Sequence, residues 1–147
     1  MEEHKGLDLK MSLNDASKAY LKETAKWSQF LAIVGFVGIG IMVIASFFMG
    51  IIFSALPNNE ELPEDFGPYM TIVYLIMALI YFFPVLYLYK FSVKLKQSLQ
   101  SQDEDVLSEA FLNLKSMFKF MGVLTILLIA LYILIFLFGI IAVFIAM

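Results

Sequence analysis

The sequence has no cysteine and no arginine, and it has a single histidine. Without cysteine there is no disulfide, no thiolate nucleophile and no thiolate-held zinc or iron–sulfur cluster. Without arginine there is no bidentate fork for phosphate. With a net charge of −3 as well, nucleic acid is not an expected partner. His4 is the single histidine and lies in an N-terminal segment expected to fray, so neither metal ligation nor acid–base work is expected of it. Charge is also missing from three long stretches, Trp27 to Leu56, Tyr69 to Tyr89 and Phe120 to Met147. Proton relays, voltage sensors and most ion-coupled transporters place ionisable groups within such stretches, which argues against a pump. No nucleophile elbow and no paired-histidine zinc motif occurs. Gly35-Phe-Val-Gly38-Ile-Gly40 is glycine-rich but lies in an apolar run and lacks the following Lys-Ser/Thr of a phosphate loop. The chain is therefore expected to be no enzyme, with no catalytic residue, no cofactor and no small-molecule substrate.

What the sequence does have is apolar surface. Of its 147 residues, 61% are hydrophobic and 16% charged, against about 45–50% and about 25% in a soluble domain. A chain this small cannot enclose so much apolar area in one core. About 20 apolar residues cross a hydrocarbon layer of roughly 30 Å, and each uncharged stretch is long enough. The reading is an all-α membrane protein with three transmembrane helices, an N-terminal amphipathic helix and a cytoplasmic helical hairpin. Its segments are 1–26 (N-terminal, cytoplasmic), 27–56 (first span), 57–68 (acidic external loop), 69–89 (second span), 90–119 (hairpin) and 120–147 (third span). The polar residues before Trp27 and the length of the first span fit an uncleaved signal-anchor rather than a signal peptide.

Orientation follows from the lysines. Five precede the first span (Lys5, Lys10, Lys18, Lys22, Lys26) and five lie between spans two and three (Lys90, Lys94, Lys96, Lys115, Lys119). The 57–68 loop has none and carries Glu60, Glu61, Glu64 and Asp65. Lysine-rich segments stay in the cytoplasm, which places the N-terminus inside and the C-terminus outside a bacterial inner membrane. Four carboxylates in the acidic loop invite a cation reading, but their spacing is not that of a calcium loop. With Pro57, Pro63, Gly67 and Pro68 nearby, a solvated turn is expected.

Helical periodicity continues beyond the spans. Leu88, Phe91, Leu95 and Leu99 share one face, as do Leu107, Phe111, Leu114, Phe118 and Met121. They predict an antiparallel hairpin of Phe91–Gln100 and Asp103–Lys119, the second helix running into span three. Ser101 to Glu104 fits a capping box, with Asp103 as the alternative cap. Near the N-terminus, Ser12 or Asn14 can cap a helix whose apolar face is Leu13, Ala16, Tyr20, Thr24 and Trp27. Lys18, Lys22 and Lys26 form a ladder on another face. Two placements are open. The ladder and Trp27 contact anionic lipid headgroups, or the helix packs on the hairpin.

Three features bear on interaction. Ser46, Gly50 and Ser54 form a small-residue face in the outer half of span one, and Gly139, Ala142 and Ala146 form another in span three. Such faces let helix backbones approach closely in lipid. They either meet within one chain or join chains. In span two, Pro84 removes one helical hydrogen bond. With Tyr74, Met77 and Tyr81 on its side of the helix, it marks either a static kink, the preferred reading, or a hinge beside a polar groove.

Leu86-Tyr-Leu-Tyr-Lys90-Phe91, Ser101-Gln-Asp103-Glu-Asp and Phe111-Leu-Asn-Leu-Lys115-Ser-Met-Phe118-Lys119-Phe-Met-Gly122 together resemble an uncharacterised family of small bacterial membrane proteins, found mainly in Bacteroidota and catalogued as a domain of unknown function. The resemblance covers roughly Leu13 to Ala142. It implies a multi-span membrane protein and assigns no catalytic residue. The expected function is that of a non-catalytic accessory or scaffold subunit, which binds another membrane protein or a second copy of itself within the lipid bilayer. The alternative is an oligomeric passive channel or small-solute permease lined by Pro84 and the tyrosines.

Overall fold

A computed structural model of the chain describes residues 13–56, 63 and 65–146. It contains three helices, α1 (Asp15–Ala55), α2 (Phe66–Ser101) and α3 (Glu104–Ala146), and no strand among the described residues. All three are long and apolar enough to cross a membrane. At 1.5 Å per residue they measure about 62, 54 and 65 Å, roughly twice the hydrocarbon thickness. A helix of this length set across a bilayer would project beyond it.

The N-terminal helix and the first span are one element. No glycine or proline interrupts Asp15 to Gln29, so nothing stops the helix at Trp27. Asn14 caps it, its side-chain oxygen accepting from the Ser17 N–H at 2.8 Å; Ser12 lies outside the described residues. The second helix starts three residues before the expected 69, at Phe66. Gly67 and Pro68 belong to its first turn, where a missing N–H costs nothing because the first donors have no intrahelical partner. It then runs unbroken through Pro84 to Ser101.

The hairpin turn is tight and differs from the expected capping box. Ser101 remains in α2 and donates to the Gln97 carbonyl at 2.9 Å. Gln102 adopts the left-handed conformation, with φ of 53°. Asp103 then caps α3, its carboxylate accepting from the Asp105 N–H at 2.9 Å and the Val106 N–H at 3.4 Å. The helix α2 outruns the box by one position, so the alternative cap is the one used.

The middle helix is α2. It packs antiparallel on α1 along its length and on the first part of α3, while α1 and α3 make no close backbone approach. The core lies at the lysine-bearing end. Ala25, Phe91, Leu95 and Ala110 are buried together, and Leu21, Leu88, Leu99, Leu107 and Leu114 pack around them. There Lys94 and Glu109 form an ion pair at 2.6 Å, and the Lys96 ammonium donates to the Gln29 carboxamide.

Candidate functional site

The surfaces able to carry a function here are helix faces, and α1 shows how one is built. From Leu21 to Phe53 every described residue that is not exposed falls on three positions of a seven-residue repeat. Ala25, Ala32, Ile39, Ser46 and Phe53 occupy one. Leu21, Ser28, Gly35, Met42 and Met49 occupy the second, and Gln29, Phe36, Val43 and Gly50 the third. The partner surface on α2 repeats likewise through Thr71, Ala78, Val85, Ser92 and Leu99, none of them exposed. A seven-residue repeat keeps one seam between two helices. Its most buried members are small: Ala25, Ala32 and Ser46 are fully shielded, as are Ser92 and, nearly so, Ala78. Small residues at these positions let the two backbones approach closely.

This seam corrects the N-terminal face. Tyr20 and Trp27 are 70% and 57% exposed, and Leu13, Ala16 and Thr24 are exposed as well. The helix packs on the hairpin through Leu21, Ala25 and Ser28 instead. Lys18, Lys22 and Lys26 are exposed. The sequence signal was smallness at a seven-residue period, which a search for large apolar residues passes over. The same correction applies on α3, where Leu107 and Leu114 pack inward while Phe118 is 63% exposed.

The two small-residue faces fare differently. Ser46 is fully buried, and its carbonyl accepts from the Thr71 hydroxyl at 3.1 Å, which also lies 3.2 Å from the Gly67 carbonyl. A Cβ on Gly50 would overlap the Thr71 hydroxyl, and a Cβ on Gly35 would meet Val85 at 2.9 Å. The face on α1 is thus filled by α2. The face on α3 is not filled: nothing lies within 4 Å of a Cβ built on Gly139, and Ala142 is exposed. The meeting of these two faces within one chain, one of the two options open from sequence, does not occur, because α3 parts from α2. Beyond Leu124 every described residue through Ile145 is exposed. Gly139 instead floors a shallow groove of about 490 Å³ between Phe136, Ile140, Val143 and Phe144. Ser54 and Ala146 fall in α1 and α3, with their side chains outside the described set.

In α2, Pro84 is buried whereas Tyr74, Met77 and Tyr81 are 37%, 41% and 44% exposed. The described residues contain no group of three or more His, Cys, Asp or Glu able to hold a metal; His4 and the carboxylates at 60, 61 and 64 lie outside them. Residues 69–140 match the model of a family of unknown function, DUF5362. That stretch begins in the first turns of α2 and takes in the hairpin and most of α3. No curated protein and no solved structure matches the chain.

Proposed function

We propose that this protein is a non-catalytic scaffold or accessory subunit of a bacterial inner membrane, with its N-terminus and hairpin in the cytoplasm and its C-terminus outside. One contrast supports the reading. The α1 small-residue face is occupied within the chain, and the equivalent face around Gly139 is open. In lipid, an open small-residue groove is where another helix gains van der Waals contact, so α3 receives a helix of a second membrane protein or a second copy. The lysine asymmetry supports the orientation.

The test is Gly139→Leu, at a position where an added Cβ meets nothing within 4 Å, so the fold is expected to stay intact. In mild detergent the native chain is expected to travel with a partner or as an oligomer, and Gly139→Leu to release it. A native chain that stays monomeric and partnerless removes the reading. The exposed Tyr74 and Tyr81 favour a second reading, a passive pathway between copies; absence of solute flux in liposomes removes that one.

A further inference from the structure

The register of the three helices fixes where the bilayer sits, and it separates the lysines into two layers. Phe120 stacks against Phe83 with ring centroids 5.8 Å apart, and Phe111 lies 6.5 Å from Phe91. Lys119 is therefore level with Pro84, and Lys115 with the turn at Tyr87–Leu88. On the other side, Gly35 lies against Val85 and Gln29 against Lys96. Trp27 and Lys26 are thus level with the turn around Lys96, some way past Lys119.

Two charges bracket the hydrocarbon. Asp65 precedes α2 at one end, and Lys119 marks the other at the height of Pro84. Nineteen helical residues separate these heights, about 28 Å at 1.5 Å each, which already matches a hydrocarbon layer of roughly 30 Å. The layer has little room to slide without immersing a charge. Counting 20 residues back from Ala55 along α1 gives the same boundary, at Gly35. Headgroups add about 5–8 Å on each side. Lys119 and Lys115 fall at or within that band, and Lys90, about 9 Å past Pro84, stands just beyond its edge, within reach of it through its long side chain. Trp27 is about 12 Å past Gly35, and Lys22 and Lys18 about 20 and 25 Å past it. A tilt of about 20° shortens these heights by only about 6%.

We infer that Lys90, Lys115 and Lys119 form the site for anionic phospholipid headgroups, and that the Lys18–Lys22–Lys26 ladder and Trp27 stand in water beyond it. All three lysines are exposed. Among the described residues the ion pair is Lys94 with Glu109, so these three ammonium groups are left for an outside anion. Phe118, 63% exposed beside Lys119, extends the lipid-facing surface of α3 directly into this band. Its ring and the lysine stems sit at the acyl boundary with the charges turned to phosphate.

The inference rests on the membrane-spanning reading and not on self-association, so it can fail while the scaffold proposal stands. Trp27 is the only tryptophan, which makes the native chain its own probe. In vesicles of phosphatidylcholine and phosphatidylglycerol at three to one, iodide in the water is expected to quench Trp27, and acyl-brominated lipid to leave it bright. Quenching by brominated lipid and protection from iodide overturns the placement. A second measurement compares two triple variants by the association of spin-labelled phosphatidylglycerol relative to phosphatidylcholine. Lys90→Gln, Lys115→Gln and Lys119→Gln together are expected to abolish the anionic preference. Lys18→Gln, Lys22→Gln and Lys26→Gln together are expected to keep it, and the reverse pattern overturns the assignment.

Discussion

The lysine-bearing end and the membrane segment of this protein follow opposite burial rules. At the first, Phe91 and Leu95 are buried, at 2% and 0% exposure, inside a ring of leucines. Along the second, Ser46 and Ala78 are buried while Phe47, Phe48, Ile51 and Ile52 are all more than half exposed. On the membrane-spanning reading the helices are the same and the solvent differs. Water drives large apolar groups inward, whereas lipid is as apolar as they are and leaves close backbone approach as the gain from packing.

The sharpest way to break this contrast is at Leu95. Leu95→Ala removes a fully buried side chain, with an expected loss of about 2–5 kcal/mol, read as a large fall in unfolding midpoint in detergent. An effect no greater than that of Ile51→Ala, on the lipid-facing side, would refute the two-solvent account. Next in size is Gly50→Leu, which overpacks the seam against Thr71 and is expected to cost about 1–3 kcal/mol. Gly35→Leu, facing only the Val85 methyls, should cost less, and equal midpoints would contradict that order. Asp103→Ala removes the α3 cap at the water-exposed turn and should lose about 1 kcal/mol, visible as faster amide exchange at Asp105 and Val106. Smallest is Thr71→Val, which deletes the interhelical bond to Ser46 within the membrane segment, worth about 0.6 kcal/mol. A loss several times larger would mean that polar contacts, not small residues, hold that seam.

Much of the water-facing part was legible. Leu88, Phe91, Leu95 and Leu99 have the spacing of a packed helix face, and they pack together as that spacing predicts. The same signal failed on α1, where Tyr20 and Trp27 looked like a core and are exposed. There the informative residues were Ala25, Ser28, Ala32 and Gly35, whose meaning comes from size. The turn was legible only to within one position. Ser101 and Asp103 are both sound caps, and the choice between them depends on how far α2 runs before Gln102 turns left-handed.

The sequence by itself determined that three uncharged stretches are long enough to cross a membrane, that the lysines gather at one end, and that the chain doubles back between Ser101 and Asp103. Those follow from local composition and from the cost of charge in hydrocarbon. Only the tertiary structure decided that α2 takes the central place, that the α1 small-residue face is filled while the α3 face is open, and that Lys119 stands at the height of Pro84. Helix register and partner choice depend on how side chains of different helices interlock, and no single helix's sequence contains that.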